Sequence, residues 1–325
     1  MTNRNAQPPP RPNPTNNVTL ECAPTRPNCR RSILPHNAIT KTIAIAIAIS
    51  LGIGESATSW ASPISPSISD TAKGVSNARG PDRYTALRKL WGLWDNTDPT
   101  HVEQAIRTFT SDPSLDGSSR VYSGLLGAYA RRRRGDIHAA KAEIAGLGFV
   151  SQWMVIGPFD NEGRGGLDRV FEPEANIDKA LDPSVPHEGK ERQVRWRSIP
   201  DVFPFGWLDF GDLVRPSERV CAYASTFVRN RNGGPGQASV WLGATGSFRA
   251  FWNGEEVVSD SVYRVLDAER FGTTVEVKSG WNRLVVKVCG DSVSPMLTLR
   301  VGDRAGGVSH SLEVSADPAH ADAAA

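Results

Sequence analysis

The stretch from Phe149 to Asp303 constrains this chain most. VWLGATGSFRAFWNGEEVV, VYRVLD and TTVEVKSGWNRLVVKV alternate apolar and polar residues in short runs broken by Gly and Asn-Gly. Antiparallel strands joined by tight turns have this pattern, because side chains along a strand point to opposite faces in turn. It predicts strands at FVSQWMVIGPF, stopped by Gly-Pro, and at VRWRSIP, GWLDFGDLV, RVCAYASTFVR, ASVWLGAT, SFRAFWNG, EEVVSD, TTVEVK, NRLVVKVCG and MLTLRVG. LGATGSF reads as the turn between two of them. So many short strands, with turns every several residues, predict a two-sheet sandwich over 149–303. Asp160–Glu191 is rich in Asp, Glu, Pro and Gly and reads as surface loop with one short helix. The tail, 304–325, ends in ADPAHADAAA and is expected to fray.

Before the strands, 81–148 reads as helix. PDRYTALRKLWGLWDN starts on Pro81 and Asp82 and repeats apolar residues at Tyr84, Leu87, Leu90, Trp91 and Trp94. THVEQAIRTFTS follows Pro99, with Val102, Ile106 and Phe109 on one face. A third helix runs from about Ser118 through Arg134, Gly135-Asp136 turns the chain, and IHAAKAEIAGL makes a fourth. The expected fold class is α+β: two small helical hairpins followed by the antiparallel sandwich. AYARRRRGDIHAAKAEIAGLG resembles a tetratricopeptide repeat through its Gly-Asp turn and Ala140. A small helical cap packed on the next domain explains the same residues, since stacked repeats need about three units. The basic run Arg131–Arg134 invites reading as an anion site; the plainer reading is a helix C-terminus, where cations oppose the helix dipole and stay solvated.

Residues 1–61 read as a leader. QPPPRPNPTNN predicts disorder. The apolar run Ile43–Ile53 is about half of the ~20 residues that span a bilayer. It follows Arg30, Arg31 and Lys41 and precedes Ser59 and Ala61, the order of a secretory signal with cleavage after Ala61. Arg30-Arg31 loosely matches a twin-arginine signal, and the long n-region suggests a start downstream at Val18 or Leu34. Residues 62–80 read as a Ser/Pro linker.

The chain has 325 residues, a formal charge of +2, four Cys and nine Trp. Before residue 42, six basic residues face only Glu21, so the remainder is near neutral. That argues against nucleic acid as a partner, which needs a basic surface. Cys22 and Cys29 fall in the leader. Cys221 and Cys289 remain, each in a predicted strand, as a disulfide or as two buried thiols.

Within the sandwich, Trp252-Asn253-Gly254 forms a hairpin and Gly280-Trp281-Asn282-Arg283-Leu284-Val285-Val286-Lys287-Val288 a turn and strand. These residues resemble the "WxNG" hairpin and "GxNxLxVxV" strand of galactose-binding-like jelly rolls, as in the sugar-binding domain of family 2 glycoside hydrolases. Residues 82–303 more widely resemble the N-terminal region of long exported bacterial proteins, which carry tetratricopeptide repeats and a transglutaminase-like domain. The transglutaminase-like part has no counterpart here, so its activity is not implied. Structurally, Asn-Gly allows positive φ at both turn positions, Asn282 bonds turn backbone, and Leu284, Val286 and Val288 face one way while Val285 and Lys287 face the other.

Chemistry is thinly written. Trp207, Trp252, Tyr263 and Arg264 combine aromatic faces with a cation and are the candidate ligand contacts, with core packing as the plain alternative for both Trp. Asp160, Asn161 and Asp168 set oxygen ligands in a Gly-rich loop, donors suited to Ca²⁺ but without EF-hand spacing. The histidines are scattered, with no zinc spacing. Asp209, Asp212, Glu255, Glu256 and Asp260 are the carboxylates from which a glycosidase pair would be drawn.

The expectation is an exported, periplasmic or extracellular non-catalytic protein that recognises glycan or another surface ligand, without cofactor. The alternatives are an interaction module derived from a larger envelope protein, with no small-molecule site, and a glycan-active enzyme. The membrane enters only through an uncleaved signal segment.

Overall fold

The computed structural model describes residues 67–179, 181–199 and 205–321. The signal segment, Cys22, Cys29 and the cleavage point at Ala61 lie outside the described residues. Among those described, no helix is long and apolar enough to cross a membrane.

The fold is α+β. Five helices come first: α1 (Ile68–Asn77), α2 (Pro81–Gly92), α3 (Pro99–Thr110), α4 (Gly117–Arg133) and α5 (Ile137–Ala145). Aspartates open three of them by accepting backbone N–H groups that the first turn leaves free: Asp98 from Thr100, Asp116 from Ser119 and Asp136 from Ala139. Val75, Leu87, Leu90, Val102, Ile106, Leu125 and Ala128 meet in a dry helical core.

The segment expected as linker contains α1. Ser67 accepts from the Asp70 N–H at 3.0 Å while its hydroxyl donates to the Asp70 carboxylate at 2.7 Å, which starts the helix. Val75 then buries completely. The Ser/Pro composition masked this local pairing.

The strands are β1 (Met154–Asp160), β2 (His187–Glu188), β3 (Gln193–Val194), β4 (Arg197–Ser198), β5 (Leu208–Asp209), β6 (Val220–Asn230), β7 (Gly236–Trp252), β8 (Glu255–Arg264), β9 (Phe271–Val277), β10 (Trp281–Cys289), β11 (Met296–Gly302) and β12 (Leu312–Ser315). All recorded pairings are antiparallel. β7 organises the sandwich. Its first part, from Gly236, lies between β9 and β11, and its second part, to Trp252, lies between β8 and β10.

LGATGSF is therefore not a turn but the middle of one strand of 17 residues. Gly246, at φ +90°, lets the strand pass from one leaf to the other, and a Cβ there would lie 2.1 Å from the Cys289 carbonyl oxygen. In β1, too, the strand continues past Gly157-Pro158 to Asp160, with a register shift between Ile156 and Phe159.

β10 shows how the layers are built. Leu284, Val286 and Val288 enter the core between the leaves. Val285 and Cys289 face the other way, into a second apolar cluster with Phe159, Leu167, Phe171 and Leu181. The Asp160–Glu191 segment is thus more than surface loop. It carries the helix α6 (Glu172–Ala175) and is clamped onto the sheet by two buried cations. Lys287 donates to the Leu167 and Arg169 carbonyls and to Glu174, at 2.9, 2.6 and 2.8 Å. Arg283 donates to the Ile177 and Lys179 carbonyls, both at 2.7 Å.

The two turn motifs meet. Asn253 and Gly254 both have positive φ, and the Asn253 amide donates to Asn282 Oδ1 at 2.9 Å. Asn282 in turn accepts from the Lys278 N–H and donates to the Lys278 carbonyl, closing its own turn. The tail expected to fray is ordered through Ala321. β12 pairs with β6, and His320 stacks on Trp281 at 3.9 Å. Leu312 and Val314 pack on the inter-leaf core, a short alternation that the Ala-rich ending obscured.

Candidate functional site

Helix α4 ends where Gly135, at φ +84°, turns the chain, so that the Gly135 and Asp136 N–H groups return to the Arg132 and Arg131 carbonyls. This fixes four consecutive arginines at the negative end of the helix. They do more than stay solvated. Arg131 pairs with Glu143 and Asp136, Arg133 with Asp95, and Arg134 with Glu103. Arg133 also lies over Trp91, 4.7 Å from its ring centre. Arg132 differs: its guanidinium sits 4.8 Å from the Phe205 ring centre and 4.9 Å from that of Trp207. Among the described residues it makes no ion pair.

Trp207, Trp91 and Arg132 border a cleft of about 740 Å³ between the helices and the sandwich. Its walls include Trp91, Tyr122, Tyr129, Trp207 and, from β11, Thr298. Tyr129 meets Trp207 edge-on at 6.1 Å, and Phe205 stacks on Trp207 at 5.6 Å. Thr298 is 1% exposed, and its hydroxyl has no hydrogen-bond partner among the described residues. Burial pushes the Tyr122 and Tyr129 phenols above their ordinary range, so both remain neutral hydroxyls at physiological pH. Asp267 is the acid of the cleft, held by Arg88 at 2.8 Å and by Arg270 at 3.3 Å.

Arg88 also borders a neighbouring cavity of about 580 Å³, with Tyr84, Arg264, Glu269 and Arg270. Glu269 is buried at φ +56° and meets the buried Arg300 from β11. Tyr84 from α2 donates to Glu269 at 3.1 Å and stacks on Trp241 at 6.0 Å. These contacts fasten the helices to the outer face of the first leaf.

The residues singled out in the sequence do not form one site. Trp207 lines the cleft. Arg264 lines the neighbouring cavity and is held by Asp260 at 2.5 Å. Tyr263 accepts from the Asn161 amide at 2.8 Å and lies under Arg164. Trp252 is not a platform: it is 5% exposed in the inter-leaf core, with its indole N–H on the Glu276 carbonyl. An apolar face flanked by strands on both sides of β7 buries it.

The calcium reading is also corrected. Asn161 is fully buried and spends its amide on Tyr263 and the Gly290 carbonyl and its carbonyl on the Gly166 N–H. Asp160 lies near Lys190, and Asp168 pairs with Arg249 from the surface. Among the described residues, no cluster of three or more His, Cys, Asp or Glu could hold a metal.

Three of the five carboxylates have local partners. Asp209 accepts from the Gly211 N–H, Glu256 from Ser259, and Asp260 from Arg264. Asp212 lies in the turn after β5, and Glu255 at the β7–β8 hairpin. Cys221 and Cys289 face one another in adjacent strands and are joined by a disulfide.

Sequence reasoning weighed the run that contains Arg132 as an anion site and set it aside in favour of a helix end, and it missed Tyr129 and Thr298. The available signal was the Arg run that begins two residues after Tyr129 on the same helix, which reads equally as a helix end.

No protein-family model and no curated protein matches the sequence. Solved structures resemble parts of it. A PA14 sugar-binding domain from an RTX adhesin is 13% identical over 49% of this chain and 94% of that one, at a TM-score of 0.29. The PA14 domain of the MpAFP antifreeze protein is 14% identical over 30% of this chain and 52% of that one, at 0.24. A glycosyl hydrolase family 2 member from Bacteroides cellulosilyticus is 10% identical over 49% of this chain and 21% of that one, at 0.28. Scores this low carry no argument about ligand or activity.

Proposed function

We propose that this protein is a non-catalytic carbohydrate-binding module whose site is the aromatic cleft between the helices and the sandwich. One observation carries the reading: Trp207, Trp91 and Tyr129 border a concavity whose wall also carries the charged group of Arg132. Sugars offer apolar C–H faces rimmed by hydroxyls, and a site for them needs flat rings beside a few fixed hydrogen-bonding groups. A glycan array read with the intact protein and with Trp207→Ala tests it. Binding that Trp207→Ala abolishes supports the reading. Silence of the intact protein, or binding that Trp207→Ala leaves unchanged, overturns it.

The same reading takes the chain as exported. The apolar run Ile43–Ile53 and the Cys221–Cys289 disulfide support this, since disulfides persist mainly in oxidising compartments. N-terminal sequencing of the protein from cells would give Ser62 as its first residue.

An interaction module is the second reading. β8 pairs only with β7 among the described strands, and Val262 and the following Val265 are 50% and 83% exposed. An open strand edge with apolar residues is a surface for another chain.

A further inference from the structure

The cleft selects by charge as well as by shape. Resting on the carbohydrate reading above, we infer that its ligand is an anionic saccharide, with a carboxylate or sulfate group that docks on Arg132.

The argument begins with hydrogen-bond bookkeeping. A guanidinium stacked on aromatic rings uses its faces and leaves its in-plane N–H groups for other partners. Arg132 is stacked in this way on Phe205 and Trp207. Tyr122 already accepts from Arg88 Nε at 3.2 Å, so its hydroxyl hydrogen is directed elsewhere. The Tyr129 hydroxyl, which can donate or accept, borders the same concavity. On the accepting side, Asp267 is the carboxylate among the lining residues, and it is engaged by Arg88 and Arg270.

Of the three lining arginines, Arg88 is paired with Asp267 and Arg133 with Asp95, so among the described residues Arg132 is the cation left for a ligand. A neutral sugar brings hydroxyls that both donate and accept, and at Arg132, which only donates, their donating half finds no partner. A carboxylate or sulfate brings acceptors only and matches the fork of an arginine.

The test is an array of uronate-containing, sialylated and sulfated oligosaccharides, each beside its neutral counterpart: the methyl ester, the asialo form or the desulfated form. The native protein is expected to bind the anionic member of a pair at least about tenfold more tightly, as loss of a charged hydrogen bond implies. Added salt is expected to narrow the gap. Arg132 is exposed, so Arg132→Gln keeps the fold, and it should bring the two members of each pair level. Arg132→Lys, which keeps charge but loses the fork, should fall between. The carboxylated and sulfated arms tell the two anion sources apart.

Equal binding of anionic and neutral members by the native protein overturns this inference and leaves the carbohydrate reading standing. So does a preference that Arg132→Gln does not change. Binding to no member of the array overturns both.

Discussion

Glu269 and Arg300 meet at 2.7 Å with both side chains wholly buried. Their pairing lies where the helices sit on the sandwich, and Tyr84 from α2 completes it. Taking one charge out of a buried pair strands the other in a medium that cannot solvate it. Glu269→Ala should lower stability by about 3–5 kcal/mol in urea unfolding. Tyr84→Phe, which removes only a hydrogen bond to a charged group, should cost about 1.5–3 kcal/mol. Equal effects of the two would disprove this account.

Lys287 and Glu174 supply the matching case on the other leaf. Burial pulls the Lys287 ammonium below its ordinary range, and the hydrogen bond and charge of Glu174 oppose that pull. Lys287→Met alone should destabilise by about 3–5 kcal/mol, because the Glu174 carboxylate loses its cation and keeps only the Tyr223 hydroxyl. Combining it with Glu174→Leu should recover much of the loss. A double-mutant cycle with no coupling between the two would show that the clamp is not the pair.

Acid should loosen the helices. Burial disfavours the Asp116 carboxylate, but hydrogen bonds from Ser118, from the Ser119 backbone and side chain, and from Arg83 outweigh it, so its pKa lies below the usual 3.8. Glu103, disfavoured by burial but bonded by Arg107 and Arg134, is likewise held below 4.5. A carboxylate with a depressed pKa contributes its full stability above the unfolded value and loses it as pH falls through the folded value. Helical circular dichroism should therefore become less resistant to urea below about pH 4. Asp116→Asn should flatten that dependence.

The disulfide closes a segment spanning 68 positions. On chain-entropy grounds a crosslink over such a loop stabilises by about 4 kcal/mol. Replacing both Cys221 and Cys289 by Ala should lower the urea midpoint accordingly while leaving the strand signal in circular dichroism. An unchanged midpoint would mean that the unfolded chain is not constrained by the bond.

Gly246→Ala should be among the most damaging small substitutions, costing over about 2 kcal/mol, from positive φ and a clash with the Cys289 carbonyl. Gly233, also at positive φ but with open space around it, should tolerate Ala better, and a thermal melt of the two variants compares them.

The sandwich was legible where local rules decide. Leu284, Val286 and Val288 alternate against Val285 because strand geometry alone sets their faces. Asn253-Gly254 announced its turn because few residues adopt positive φ twice in succession. The passage of β7 through Gly246 was not legible, since a glycine inside a strand and a glycine between strands are written alike. Lys287 and Arg300 were equally silent, because a charge can be buried only when partners far along the chain arrive, and Glu174 and Glu269 are 113 and 31 residues away. The cleft followed the same logic. Trp207 was picked out by its ring, but Arg132 looked like any helix end, and Trp252 gave no sign of which side of the sheet it would occupy.

With one span common to both leaves, the sandwich behaves as a single mechanical body. Prising the leaves apart along β7 would require rupturing the ladders that flank it. A tether pulled at that strand should resist until the whole fold gives way at once.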